Sequence, residues 1–309
     1  MTMRARVPDR AVTAAYTLGW TLVKHLPEQT GRWAFTTIAD YAWRHRLGGV
    51  DQLEANLRRL VGPDATQAEL RALSRASMRS YFRYWYELFR LPAMDRRELV
   101  ARTRSTGVDI LEAHLRAGRG VVAALPHMGN WDQAGAWITL RGIPLTTVAE
   151  RLRPESLFQR FTAVRERLGM EVLPLTRGGG TTVGTLARRL RAGGLVCLLA
   201  DRDLTGQGID VDFFGEPARM PAGPAALALA TGAALLPVSL WFDGPHWGIR
   251  VHEEIRPPSA GDRTTRIRAM TQELAYVFEQ EIAAHPEDWH MMQPVFTADL
   301  ARPRGEVGR

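Results

Sequence analysis

Gly120-Val121-Val122-Ala123-Ala124-Leu125-Pro126-His127-Met128-Gly129-Asn130-Trp131-Asp132 is the stretch on which the fold turns. Its first half is a short, unbroken apolar run. Bounded by turn residues, such a run reads as a strand buried on both faces, the kind found in parallel sheets. Pro126 and Gly129 shape the turn that follows, and Asn130 opens a helix. His127 therefore sits just beyond the carboxyl end of a strand. Open α/β sheets bind ligands at that end, and an imidazole there is placed to act as a general base.

Outward from this stretch the pattern repeats. Downstream, apolar runs at 144–150, 170–175, 195–200, 234–242 and 247–255 read as strands. Segments 130–141, 154–168, 181–192, 221–231 and 264–284 carry helical periodicity. The last two strands pair through the turn Asp243-Gly244-Pro245. The alternation predicts an α/β fold, with a mainly parallel central sheet flanked by helices. Upstream the chain reads as helical over 11–26, 33–46, 50–60 and 67–91, with Pro27 and Pro92 as stops. The expected organisation is a helical N-terminal region over 1–104 packed on an α/β core over 105–300. A tail follows over 301–309, and the whole forms one structural domain.

Composition excludes several classes. The chain has 309 residues, 45% of them hydrophobic and 24% charged, which is ordinary for a folded protein. Cys197 is the single cysteine, so no disulfide framework or CxxC site is possible. No internal repeat recurs. No apolar run is long enough to span a bilayer, and Met1 to Leu26 lacks the apolar core and cleavage site of a signal peptide. These features predict a place in the cytosol or on the cytosolic face of a membrane. The net charge is +7, and Lys24 is the only lysine. A GC-rich genome explains an arginine excess, and an anionic partner is compatible with it. Charge alone does not choose between phosphate, acidic lipid and nucleic acid.

Motif searches remove further classes. There is no G-x-S-x-G elbow, no Walker A loop and no H-E-x-x-H zinc motif. Gly118 and Gly120 match a loose dinucleotide pattern but precede a strand instead of following one. What remains is His127-x4-Asp132. Were both residues helical, five steps of about 100° would put them about 140° apart, on different faces. A direct contact thus needs His127 outside the helix. Otherwise its carboxylate comes from another strand end, and the next one offers Asp201-Arg202-Asp203 after Leu195–Ala200. Asp201 is the favoured support for His127, with Asp132 fixing an arginine such as Arg165. Asp132 as the direct partner stays open.

These segments resemble the lysophospholipid and lipid A type acyltransferases, whose hallmark is His-x4-Asp/Glu. Val148-Ala149-Glu150-Arg151-Leu152-Arg153-Pro154 is similar to the family's second block, with Arg165 on the next helix. Ala200-Asp201-Arg202-Asp203, Val211–Gly215 and Ala222–Ala225 resemble the third, and Leu236-Pro237-Val238 the fourth. The wording around Leu18-Gly19-Trp20, Asn56-Leu57-Arg58 and Met78–Trp85 is most similar to the actinobacterial phosphatidylinositol mannoside acyltransferases. The likeness runs over about residues 10–297. It implies transfer of a fatty acyl group such as palmitoyl from acyl-CoA to a mannose hydroxyl of a phosphatidylinositol mannoside. His127 would be the base, with Asp201 and Asp132 completing the catalytic set. Glu150, Arg165, Arg202 and Asp203 would bind substrate. No cofactor is implied, since acyl-CoA is a co-substrate. The acceptor implies a peripheral place at the cell membrane, and no nucleic-acid partner is expected. Another glycolipid or a lysophospholipid is the neighbouring alternative as acceptor. A non-catalytic, anionic-lipid-binding role is the remote one.

Other features carry two readings. Thr176-Arg177-Gly178-Gly179-Gly180 is either a flexible loop or a cradle for a CoA phosphate. Phe213-Phe214 and Met220-Pro221 either line an acyl tunnel or belong to the core. Tyr81 to Arg90, where aromatics alternate with arginines, is core packing, a membrane-interface surface or a stacking platform for single-stranded nucleic acid. The 11–26 helix with Trp20 is a second candidate for contact with a bilayer.

Overall fold

In the computed structural model, residues 23–151, 154–175 and 180–300 are described. The N-terminal helices are α1 (Glu28–Arg44), α2 (Val50–Val61) and α3 (Gln67–Arg90), followed by the short α4 (Arg96–Ala101). Helix α1 begins directly after Pro27, earlier than its apolar periodicity suggests, because Pro27 sits extended at the N-cap and Glu28 suits the first turn. Helix α3 is fixed at its start by a capping box between Thr66 and Glu69. Its second half, the aromatic-arginine segment, buries Tyr84, Tyr86, Glu87, Leu88 and Phe89. Core packing is therefore the correct reading of that segment. The 11–26 helix lies mostly outside the described residues.

The core elements follow: β1 (Thr103–Thr106), α5 (Val108–Arg116), β2 (Val121–Leu125), α6 (Trp131–Leu140), β3 (Leu145–Glu150), α7 (Glu155–Arg167), β4 (Met170–Leu175), α8 (Gly180–Arg191), β5 (Leu195–Leu199), β6 (Ile209–Phe213), β7 (Glu216–Met220), α9 (Gly223–Thr231), β8 (Ala234–Asp243), β9 (His246–Val251), α10 (Arg263–Ala284) and α11 (Thr297–Leu300). Seven strands form one sheet in the order β1-β9-β8-β2-β5-β3-β4. All its neighbours run parallel except β8 and β9, which pair antiparallel across the expected turn. Central β2 is buried along its whole length, as its unbroken apolar run requires.

Strand β1, helix α4 and the hairpin β6–β7 carry no periodicity that would announce them. Strand β1 is a polar, mostly exposed edge strand, so it has no apolar signature; the expected boundary at 104/105 falls inside it. Helix α4 has only six residues. The hairpin β6–β7 turns on Phe214 and Gly215, both at positive φ. Its Phe213 and Met220 are fully buried, and neither lines the cavity described below. They are core residues, not tunnel residues. Strand β9 also stops at Val251, short of the expected residue 255; Ile255 instead bridges to Leu235.

Candidate active site

Strand register explains how the site assembles. Strands β2 and β5 are adjacent and parallel, with Leu125 opposite Leu199. Two residues further along each chain stand His127 and Asp201, so the two meet just above the sheet. The backbone N–H of Ala200 donates to the Leu125 carbonyl (2.7 Å), which carries the pairing past the strand ends. The turn after His127 needs a glycine. Gly129 has φ 58°, and a Cβ there would lie 2.7 Å from the backbone carbon of Leu240. Asn130 then caps α6, accepting from the Gln133 N–H (3.0 Å).

His127 Nδ1 lies 2.5 Å from Asp201 Oδ1, and the His127 backbone N–H donates to Oδ2 (2.8 Å). The indole N–H of Trp289 also donates to Oδ2 (3.0 Å). Asp201 is 0% exposed. Burial alone would raise its carboxyl. The charge and hydrogen bonds of His127, together with Trp289, outweigh that and hold it below the usual carboxylate range. An ionised Asp201 fixes the proton of His127 on Nδ1. Nε2 is then the bare ring nitrogen, and no described residue hydrogen-bonds to it. The His127 side chain is 24% exposed, so the ring is supported yet reachable.

Asp132 does not touch His127. Arg165 donates to it twice, Nε to Oδ1 (2.5 Å) and Nη2 to Oδ2 (3.0 Å). The Tyr84 hydroxyl donates to Oδ2 as well (2.8 Å). Burial first, and the Asp132 charge second, push the Tyr84 phenol well above its ordinary value, so it stays a donor. Burial works against the charge of Arg165, but Asp132 more than compensates and raises its pKa.

Beside these groups a cavity of about 260 Å³ runs between α6 and the sheet. Its walls are mainly apolar, including Leu111, Trp137, Phe158, Met170 and Val251, and His127, Asp132, Glu150 and Arg165 also line it. Cys197 lies in the same wall, its thiol pushed up to about 12 by burial, which makes it a poor nucleophile. Glu150 and Arg202 approach each other near the rim, with Arg202 Nη2 3.7 Å from Glu150 Oε2. Arg202 also donates to Gln293 Oε1 (2.8 Å). Asp203 is placed differently. Its oxygens accept from the Thr205 N–H and hydroxyl and from the Gly208 N–H, closing its own loop, and it does not line the cavity. Of the phosphate-cradle candidate, residues 176–179 lie outside the described residues.

Tyr84 and Trp289 were not singled out as site residues by the sequence. Tyr84 is one aromatic among many on α3, and Trp289 is some 90 residues beyond Asp201 with no local motif. The only general signal is that a buried Trp or Tyr needs a partner for its N–H or O–H.

A carboxylate-held histidine at the strand ends, opening onto an apolar slot, is the layout of an enzyme that transfers acyl groups. The chain belongs to the bacterial lipid A biosynthesis acyltransferase family, whose model matches residues 1–298. It is 51% identical over 304 residues to a phosphatidylinositol mannoside acyltransferase of Mycobacterium tuberculosis, covering 97% of this chain and 93% of that one. A protein of the same name from Mycolicibacterium smegmatis is 50% identical over 307 residues, 98% of each chain. Among the described residues no helix is long and apolar enough to cross a membrane.

Proposed function

We propose that this acyltransferase moves a fatty acyl group from acyl-CoA to a mannose hydroxyl of a phosphatidylinositol mannoside, in a single displacement with His127 as the base. The observation that carries the reading is His127 itself. Its Nδ1 is tied to a buried Asp201, and it stands in the wall of an apolar cavity.

A sugar hydroxyl is a weak nucleophile at neutral pH. Nε2 of His127 takes its proton as the oxygen attacks the thioester carbonyl. Asp201 keeps the ring in the productive tautomer and stabilises the imidazolium that forms. The tetrahedral oxyanion then collapses, the carbon–sulfur bond breaks, and the proton on Nε2 passes to the departing CoA thiolate. The products are an ester and free CoA. Arg165, Arg202 or a backbone N–H of the turn after β2 serves as the oxyanion donor, an effect worth about 3–4 kcal/mol for one good donor. The apolar cavity takes the acyl chain, while Glu150 and Arg202 meet polar parts of the substrates at the rim.

A lipid acceptor implies docking on a membrane surface, because drawing a lipid into water is costly. Helix α1 supports this with exposed Trp33 (70%), Ile38 (48%) and Tyr41 (60%). The reading places the protein peripherally on the cytosolic face of the cell membrane.

The test is acceptor-dependent release of CoA by the purified protein, given palmitoyl-CoA and a panel of lipids. Release should rise strongly with phosphatidylinositol mannoside and little with lysophospholipids or other glycolipids. Equal rates across the panel, or none above hydrolysis by water, would overturn the acceptor assignment.

A further inference from the structure

The chain returns to the site long after the last motif. Pro286–Asp288 form a single 3-10 turn after α10, and the residues that follow cross the turn bearing His127. The Gly129 N–H donates to the Asp288 carbonyl (3.0 Å), and the His290 N–H donates to the His127 carbonyl (2.7 Å). Met128 and Trp289 form an antiparallel bridge between these two bonds. The segment is thus laced along both sides of the base. It is anchored from behind as well. The Ser80 hydroxyl donates to Asp288 Oδ1 (2.5 Å) and contacts His290 Nε2 (2.8 Å), and the Phe242 N–H donates to Asp288 Oδ2 (2.7 Å).

From the middle of this strap Trp289, 0% exposed, sends its indole N–H to Asp201 Oδ2. Asp201 therefore has three donors in a fixed division. Oδ2 is held by Trp289 and by the His127 backbone, and Oδ1 is left for His127 Nδ1. A single donor on Oδ2 leaves the carboxylate free to swing about its Cβ–Cγ bond, whereas two donors from separate segments fix its plane. We propose that Trp289 is a positioning residue for the acyl transfer: its indole N–H pins Asp201 so that Oδ1 faces the base. The inference rests on the reading of His127 as the base.

Removing the N–H has two consequences. Asp201 loses an anchor, so the ring is oriented less well and turnover falls. The contact that favours the imidazolium over the neutral ring changes as well, so the pH dependence of the base changes with it.

The experiment compares the wild type with Trp289→Phe and with a benzothienylalanine at position 289, which keeps the two-ring shape but has no N–H. Acceptor-dependent transfer from palmitoyl-CoA is measured from pH 5 to 9, with melting temperature as the check on folding. The expected result, in whichever variant keeps its fold, is a fall in kcat of about tenfold. KM for palmitoyl-CoA stays constant, and the acid limb of kcat/KM moves. The benzothienyl residue keeps the packing, so it decides the matter if Phe weakens the fold. An unmoved acid limb in a folded variant overturns the proposal, whatever happens to kcat, because it would show Trp289 to be packing alone. His127→Gln, measured alongside, separates the two claims: if it stays active, the reading of the base fails and not merely the role of Trp289.

Discussion

Two buried aspartates serve the same site, Asp132 in the wall of the cavity and Asp201 behind His127, and they have different partners. Asp201, at the end of β5, is 0% exposed and paired with a histidine, a side chain that can gain and lose a proton. Asp132, in the first turn of α6, is 2% exposed and paired with Arg165, whose charge does not change. A carboxylate facing a titrating partner stabilises one protonation state over another, so it acts on a rate. A carboxylate facing a permanent cation acts mainly on structure, since neither charge can be removed cheaply from a buried pair. The job of an aspartate here is set by its partner, not by its place in the His-x4-Asp string.

Substitutions can break that contrast. The largest effect is expected for Asp201→Asn, which keeps the shape but loses the charge. Turnover should fall by about 10³–10⁴-fold, with a small change in melting temperature. Asp132→Ala should do the opposite in kind. It leaves Arg165 buried without its anion, so unfolding in urea should show a loss of about 3–5 kcal/mol. The double replacement Asp132→Leu with Arg165→Met should recover most of that stability. If Asp132→Ala proved as stable as wild type yet as slow as Asp201→Asn, the two carboxylates would not differ in kind.

Asp288 sharpens the contrast, being a buried carboxylate with hydrogen-bond donors but no salt-bridge partner among the described residues. Burial pushes its carboxyl up to about 6 from an ordinary 3.8, against the pull of Ser80 and the Phe242 N–H. Between those values the folded protein keeps a proton that the unfolded chain releases. Stability from this group is therefore full below about pH 4, falls as pH rises towards about 6, and is flat above it. The whole change is about 3 kcal/mol at most. Asp288→Asn should remove that slope from melting curves recorded between pH 4 and 7.

The smallest effect belongs to Cys197, the one thiol in the cavity wall. Cys197→Ala should leave turnover within about twofold and cost about 1 kcal/mol of stability, as expected for a small core side chain. A collapse of activity would point to a covalent acyl-enzyme and away from single displacement.

The fold was legible where periodicity was strong. Gly120–Leu125, Leu195–Ala200 and the helices between them could be read because buried parallel strands are continuous apolar runs. The polar edge strand β1 and the short α4 could not, since neither repeats long enough to show a period. In the site, the placement of His127 beside Asp201 followed from two strand ends that turned out to be neighbours in register. Helical geometry did not decide the partner of Asp132, because His127 stands outside α6; the pairing with Arg165 is set by tertiary packing of α7 against α6. Glu150 and Arg202 came together at the rim, whereas Asp203 was drawn into its own loop by backbone donors that no motif announces. Trp289 and Tyr84 were invisible for a simpler reason: each acts across a long sequence separation, and only tertiary packing brings it to the carboxylate.

The central claim is that one imidazole removes the proton from the acceptor hydroxyl. The most direct measurement is acceptor-dependent CoA release from palmitoyl-CoA by His127→Gln, with donor binding followed by calorimetry in the same preparation. Transfer should fall by at least about 10³-fold while palmitoyl-CoA still binds with wild-type affinity. Transfer within a few-fold of wild type, by a folded and donor-binding protein, would contradict it.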